Sequence, residues 1–381
     1  MRIYLDNAAT TKADKEVVKA MLPFLTEKYG NASSMHSFGQ EANAALEASR
    51  KIIARSLAAS PEEIIFTSGG TESDNIAIRG IAYANRDKGS HIITSRIEHP
   101  AVFNTCKALE KEGFGITYLD VDKFGLIDLK KLENSMTKKT ILVSIMHANN
   151  EIGTIQDIDA IGSLCKKKGV YFHTDAVQSY TKVPIDTKKT AVDLISMSSH
   201  KLHGPKGVGL AYLRRGSKAP FNLIHGGHHE KRRRASTENV PGIVGFGKAV
   251  QLTSEENYHR ESILRLRAKL EEGISDIPEV TVLARDAERL PNTSNVLFHR
   301  LEGESIVMSL DFEGIAVSTG SACSSGSLEP SHVILALGFD HAHAQGSIRF
   351  SLSRYTTLEE IDYTLEKLPP IIHRLRNISA L

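Results

Sequence analysis

Few lysines are placed as Lys201 is. It lies in Ser198-Ser199-His200-Lys201-Leu202-His203-Gly204-Pro205-Lys206-Gly207, directly after the apolar run Leu194-Ile195-Ser196-Met197. A lysine that ends a strand and enters a Gly/Pro turn is not decorating a helix face. Lysine forms Schiff bases with carbonyl compounds when its pKa is depressed. A second reactive group is Cys323, in Ser318-Thr319-Gly320-Ser321-Ala322-Cys323-Ser324-Ser325-Gly326-Ser327-Leu328-Glu329-Pro330. Structural cysteines sit among apolar residues, whereas this one lies in a small, polar stretch whose composition predicts a mobile arm. Cys106 and Cys165 fall instead in helical patterns and read as core positions.

Three further strand ends carry chemistry. After Phe66 comes Thr67-Ser68-Gly69-Gly70-Thr71-Glu72-Ser73-Asp74-Asn75, a glycine-rich turn entering a helix. Free N–H groups and the helix dipole at such a turn favour an anion. The turn is neither a Walker sequence nor a dinucleotide fingerprint. His173-Thr174-Asp175-Ala176-Val177-Gln178 puts an aspartate where it could face a protonated ring nitrogen, and Arg96-Ile97-Glu98-His99-Pro100 and His147-Ala148-Asn149-Asn150-Glu151 put histidines at two more ends. Each alone could be an ordinary cap or a structural residue. Together, an anion cradle, a carboxylate and a lysine meet the requirements of one cofactor, pyridoxal 5′-phosphate.

The elements that must hold these residues are short β-rich runs alternating with amphipathic helices from about residue 40 to 215. Strands are expected at Ile64–Thr67, His91–Thr94, Thr140–Met146, Val170–His173, Leu194–Met197 and Val208–Tyr212, with a helix over Ile158–Lys168. Such alternation predicts an α/β fold with a largely parallel, helix-covered sheet, in which ligands bind beyond the carboxyl ends of the strands. After Pro241-Gly242 the pattern changes to one long helix, Ile243–Ile274, and an α+β tail. That tail is read as strands near Asn295–His299, Ala316–Ser318 and Ile348–Leu352 and a last helix over Leu358–Arg376.

At 381 residues the chain exceeds the roughly 250–300 at which single cores stop growing, so two domains are expected. The reading is a large domain over 13–259 and a small domain made of 1–12 and 260–381, which carries the Cys323 segment. Hydrophobic residues make up 41% and charged residues 24% of the chain, and the formal net charge is +2. That balance argues against direct nucleic-acid binding and against an anionic membrane partner. No apolar run approaches the roughly 20 residues of a membrane span, and Met1-Arg2-Ile3-Tyr4-Leu5-Asp6 reads as a strand rather than a signal peptide. Three cysteines without paired spacing fit a reducing cytoplasm.

The chain resembles the cysteine desulfurases of the class V, fold-type I pyridoxal-phosphate enzymes along essentially its whole length, and most of all the branch with a long catalytic-cysteine segment. The matching stretches are Tyr4–Thr11, Phe66–Asn75, Glu98-His99, His147–Gly153, Asp175–Gln178, Ser198–Gly207, Gly320–Ser331 and Ser347–Arg354. The resemblance implies a mostly parallel seven-stranded sheet between helices plus a smaller α+β domain, and a homodimer. It implies that Lys201 bonds the cofactor aldehyde, Asp175 pairs with the pyridine nitrogen, His99 stacks on the ring and assists proton transfer, and Gln178 bonds the phenolic oxygen. Gly70, Thr71, Ser198 and His200 would line the phosphate site, with Thr237 reaching it from a partner subunit. Asn150 would contact cofactor or substrate, and Arg349 would clamp the substrate carboxylate, a task suited to a bidentate guanidinium.

The implied activity converts L-cysteine to L-alanine, leaving sulfur as a persulfide on Cys323 for an iron–sulfur scaffold or tRNA thiolation. Selenocysteine lyase, and a non-catalytic homologue that only binds a scaffold, are the alternatives. One segment departs from the family pattern. Where relatives read Gly-Gly…Glu…Arg-Ser-Gly-Thr, this chain has His225-Gly226-Gly227-His228-His229-Glu230-Lys231-Arg232-Arg233-Arg234-Ala235-Ser236-Thr237, with Ala235-Ser236 in place of Ser-Gly. Its histidines lack zinc spacing, so no metal is expected, and Lys231–Arg234 reads as a solvated or phosphate-facing loop.

Overall fold

The computed structural model describes residues 1–217, 223–254, 257–320 and 330–378. The strands are β1 (Ile3–Tyr4), β2 (Ile64–Thr67), β3 (His91–Ser95), β4 (Gly115–Leu119), β5 (Thr140–Ser144), β6 (Tyr171–Asp175), β7 (Leu194–Ser198), β8 (Gly209–Leu213), β9 (Val280–Val282), β10 (Thr293–Phe298), β11 (Ile315–Ala316), β12 (Ser318–Thr319) and β13 (Ser347–Ser351). Seven of them form one sheet in the order β2-β8-β7-β6-β5-β3-β4. Only β8 runs against the rest. The carboxyl ends of β2, β3, β5, β6 and β7 therefore all lie along one edge.

This sheet is buried on both faces, which is why its strands read as near-continuous apolar runs. The two-residue period sorts them. Ile64, Phe66, Val143, Phe172, Ile195 and Met197 pack with the helices Ser37–Ser56, Ile158–Lys168 and Val240–Ser254. Ile65, Ile92, Leu142, Leu194 and Ala211 pack with Gly70–Ala84 and Pro100–Lys111. Cys106 and Cys165 are wholly buried in these two cores, and burial pushes the Cys165 thiol up to about 12, far from a reactive thiolate.

A second, antiparallel sheet has the order β12-β13-β10-β9. Its core joins Val296, Phe298, Ile348 and Phe350 to apolar residues of the helices Asn257–Ser275, Gly303–Phe312 and Leu358–Ile378. Strand β1 pairs in parallel with β11, so Ile3 and Leu5 belong to this core and not to the large sheet. Two strands have no counterpart in the sequence reading. β4, Gly-Ile-Thr-Tyr-Leu, lies only partly buried at the sheet edge, and β9 is only three residues long. The long helix expected over 243–274 is described as two, Val240–Ser254 and Asn257–Ser275.

One buried ion pair fixes the glycine-rich turn to the rest of the large sheet. Arg50, on the helix Ser37–Ser56, meets Glu230 through two N–H···O bonds of 2.9 and 2.8 Å, and its Nη1 also donates to the Ile64 carbonyl. Glu230 accepts in addition from the Phe66 N–H, inside β2 and one residue before the turn begins. Both side chains are about 5% exposed or less. Removing Glu230 leaves the buried Arg50 with only the partly exposed Glu47, 3.0 Å from its Nε, as counter-charge, which costs far more than the pair gains. Glu230→Ala should therefore lose about 3–5 kcal/mol of unfolding free energy, read by urea denaturation. A loss below about 1 kcal/mol, the range of exposed pairs, would show that water replaces the carboxylate.

Candidate active site

Lys201 closes one 3₁₀ turn, Ser199–Lys201, after β7. Its Nζ donates to the carbonyls of Ala8 (2.6 Å) and Ala9 (2.7 Å). Gly204 allows the chain to double back so tightly, since a Cβ there would stand 1.9 Å from Ser199 Oγ. Gln178 Nε2 donates to the same Ala8 carbonyl at 2.9 Å, so Lys201 and Gln178 meet on one oxygen. Gln178 Oε1 is buried without a hydrogen-bond partner.

Asp175 ends β6 and is buried, its Oδ1 accepting from the Val177 N–H at 2.8 Å. Burial pushes its carboxyl up to about 6, while that N–H and the charge of Lys201 pull the other way. Behind it, Asp74 is wholly buried on the helix Gly70–Ala84, and its carboxyl is pushed well above the usual range by burial and by Asp175. Two adjacent buried carboxyls do not both ionise. Asp74, raised further by burial and by Asp175, holds the proton; the charge of Lys201 favours the anion of Asp175. His173 lies in the same layer, 3.6 Å from Asp74, with its ring nitrogens on Ser144 Oγ (2.8 Å) and Ser196 Oγ (2.9 Å). Burial lowers this imidazole to about 3, so it stays neutral.

His99 caps the helix Pro100–Lys111, with Nδ1 accepting from the Ala101 N–H at 3.1 Å. Burial, then the charges of Lys201 and His332, lower it to about 4. The ring is thus neutral, with its proton on Nε2. Its neighbour Glu98 is wholly buried, accepts from Ser95 Oγ (2.6 Å) and the Met146 N–H (3.0 Å), and is pushed up to about 8 by burial.

The glycine-rich turn lies beside both loops. A Cβ on Gly70 would stand 2.7 Å from Val177 Cγ2 and 3.9 Å from Ser198 Cβ, while one on Gly69 would meet no atom within 4 Å. The turn therefore opens onto free space next to Asp175 and Lys201. His200 Nδ1 lies 3.1 Å from Thr10 Oγ1, and burial with the charges of Lys201 and Lys206 lowers its ring to about 4. Glu72 braces the turn by accepting from the Ser68 N–H at 2.7 Å and pairing with Arg234 at 2.8 and 3.1 Å. Glu72 and Arg234 were not singled out from the sequence, although an acid in the first turn of a helix and an arginine run were both visible there.

Arg349 is buried in the centre of β13. Its Nη1 donates to the Asn150 carbonyl (2.9 Å), its Nη2 pairs with Asp6 (3.0 Å), and its Nε is buried without a partner. Asn150 thus reaches Arg349 through its backbone, not its amide. Thr237 is exposed, and Cys323 lies outside the described residues. The chain on either side of that stretch converges on Glu151. Ser331 Oγ donates to its carboxylate, and a Cβ on Gly320 would stand 2.6 Å from Glu151 Oε2. Burial pushes Glu151 up to about 7. Its role, too, was not legible in the sequence.

An open glycine turn at a helix start, a buried carboxylate, a lysine and an unpartnered amide oxygen suit a phosphorylated heteroaromatic aldehyde, and the residues present fit pyridoxal phosphate. Comparison with known proteins agrees. Residues 3–364 match the family described as aminotransferase class-V. A cysteine desulfurase IscS of Methanosarcina thermophila is 53% identical over 380 residues, covering 100% of this chain and 94% of the relative. One from Clostridium botulinum is 51% identical over 384 residues, covering 100% and 96%. Among solved structures, a NifS-like protein superposes with a TM-score of 0.93 at 42% identity, covering 98% of this chain and 100% of the other. A NifS-like protein of Rickettsia africae gives 0.88 at 32%, with 98% and 100% covered.

Two outcomes are expected. Glu98 is raised in the folded state, so the stability it contributes is present below its unfolded pKa of about 4.3 and is lost as pH rises toward 8. Glu98→Gln should flatten the fall of unfolding free energy between about pH 6 and 8 by about 1 kcal/mol per pH unit; an unchanged slope would mean the carboxyl ionises freely in place. Ser236 occupies φ 128°, a region of backbone space that favours glycine. Ser236→Gly should stabilise by about 1 kcal/mol, seen as a higher melting temperature, whereas a lower one would show that the serine side chain offsets the strain.

Proposed function

The chain belongs to the aminotransferase class-V family, and on that footing we propose that it is a cysteine desulfurase, taking sulfur from L-cysteine as a persulfide on Cys323 and releasing L-alanine. The observation that carries this reading is likeness to cysteine desulfurases from end to end, joined to the meeting of Lys201, Gln178 and Asp175 around one opening. Bound pyridoxal phosphate supplies an electron sink for negative charge at the substrate Cα.

The residues of this chain do the rest. The N–H groups of the Gly70-Thr71 turn, with Ser198 and His200, hold the phosphate, and the partner subunit's Thr237 reaches the same group in a homodimer. Asp175, kept anionic because Asp74 holds the nearby proton, stabilises positive charge on the ring nitrogen. Lys201 would bond the cofactor aldehyde and would move the substrate Cα proton. His99, neutral at physiological pH, would lie against the ring and could donate its Nε2 proton and take it back. Gln178 bonds the phenolic oxygen. Arg349 takes the substrate carboxylate, offering its unpartnered Nε and the Nη2 now on Asp6. The Cys323 thiolate then attacks the substrate sulfur: an S–S bond forms, the Cβ–S bond breaks, and its electron pair stays with carbon, which is protonated to give alanine.

We further assign residues 13–259 to a cofactor-binding domain and 1–12 with 260–381 to a domain bearing the cysteine, in a cytoplasmic protein whose persulfide passes to an iron–sulfur scaffold or to tRNA thiolation. No helix among the described residues is long and apolar enough to cross a membrane.

Purified protein loaded with pyridoxal phosphate should release sulfide and alanine from L-cysteine in the presence of a reductant. Cys323→Ser should reduce sulfide release by at least about a thousandfold, as loss of a nucleophile does, while leaving the absorbance of the bound cofactor unchanged. Alanine and sulfide formed at undiminished rates by that variant would overturn the assignment of Cys323.

A further inference from the structure

Lys201 also borders a cavity of about 320 Å³ that the proposed reaction does not use. None of Gly70, His99, Asp175, Gln178, Ser198 or Arg349 lines it. Its walls come from the loop 180–185, the helices Val240–Ser254 and Asn257–Ser275, and the segments 291–292 and 352–354. This volume lies in the range of small-ligand sites, roughly 300–1,000 Å³.

Among the described lining residues the charge is one-sided. Lys182, Lys201, His203, His259, Arg260 and Arg354 border the cavity, and no aspartate or glutamate is among its described lining residues. The basic groups oppose one another. Burial and then Lys201 push the Lys182 ammonium down to about 7. Burial likewise lowers His203 to about 4, with Arg354 and Lys182 adding to the effect and Asp14 and the Lys12 carbonyl opposing it. Arg354 is itself tied to Asp14 outside the cavity. The Lys182 ammonium donates to the Gln178 carbonyl at 2.8 Å. The residue before it, Thr181, sits at φ 67°, a strained position for a β-branched residue that turns the next side chain into the cavity wall.

Two further features shape a ligand. Leu57, Ile185, Val250 and Ile263 provide an apolar wall. Asn292 is 4% exposed; its Nδ2 donates to the Leu352 carbonyl at 3.1 Å, which fixes the amide, and its Oδ1 has no partner. A buried acceptor left unmade is costly and calls for a donor.

We propose that this cavity is a second small-molecule site, taking a short aliphatic carboxylate with a hydrogen-bond donor at its far end. The carboxylate is held by Lys182 with Arg260, the chain lies on the apolar wall, and the donor meets Asn292 Oδ1. An anion beside the buried Lys182 favours its ammonium form, so binding protonates Lys182. The site itself is independent of the desulfurase reading.

The probe is 6-hydroxyhexanoate, titrated into the pyridoxal-phosphate-loaded protein by calorimetry at about pH 8 in buffers of different ionisation enthalpy. One molecule should bind per chain with uptake of most of a proton, and 6-hydroxyhexanamide should bind at least about tenfold more weakly, as expected for loss of a charge-assisted pair. Lys182→Met should lose a similar factor together with the proton uptake; circular dichroism checks its folding, and the proton count on the unaltered protein stands without it. Saturating L-alanine should leave the binding unchanged. Heats independent of buffer, equal binding of the amide, or displacement by alanine would each overturn the proposal. Absence of any heat from L-alanine alone would count against the desulfurase reading and not against this site.

Discussion

Everything at the proposed centre follows from placing several ionisable groups where water does not reach. Asp74 and Asp175 share one buried space behind the carboxyl ends of β6 and β7, and only one of them can carry charge. The charge of Lys201 tips the balance toward an anionic Asp175. His173, His99 and His200 are all driven to the neutral form by the same burial. The outcome is a pocket with the Asp175 carboxylate at the opening, neutral imidazoles around it, and Lys201 held by the Ala8 and Ala9 carbonyls. Such an arrangement costs stability in the empty protein and is repaid when a positively charged ring nitrogen arrives.

The fold serves that electrostatics directly. A parallel sheet covered on both faces excludes water from its strand ends, and the single reversed strand, β8, lets β2 lie at the edge with its carboxyl end on the same side as the others. That places the glycine turn against the Asp175 and Lys201 loops. The turn is then braced twice, by Glu72 with Arg234 and by Arg50 with Glu230, so the His225–Thr237 segment that departs from the family pattern still holds its position on the large sheet. The N-terminal segment bridges the two sheets. Ile3 and Leu5 pack in the small core, while the Ala8 and Ala9 carbonyls hold Lys201. Movement of one sheet against the other would therefore be felt at the lysine.

Much of this was legible in the sequence because strand ends in α/β proteins are marked by abrupt changes from apolar to polar residues. Lys201, Asp175, His99 and the Gly69-Gly70 turn all stand at such changes, and the alternating pattern was enough to place β2, β3, β5, β6, β7 and β8. What stayed hidden depends on partners far apart in the chain. Glu151 meets Ser331 across 180 residues, Arg50 meets Glu230 across 180, and Asp6 meets Arg349 across 343. No local spacing encodes these pairs. β4 and β9 escaped for a different reason: an edge strand half open to solvent and a strand of three residues carry too little apolar signal to stand out. The cavity beside Lys182 is equally a product of tertiary assembly, since its lining comes from segments as far apart as Asn7 and Arg354.

The central claim is that carbon–sulfur cleavage at the Lys201 centre delivers sulfur to Cys323 and to no other cysteine of this chain. Peptide mass spectrometry of the loaded protein, quenched after one turnover with L-cysteine and without reductant, tests it most directly. The account predicts one added sulfur atom on the peptide containing Cys323, matched by one alanine, with Cys106 and Cys165 unmodified. Sulfur on either buried cysteine, or alanine formed with no sulfur on Cys323, would contradict it.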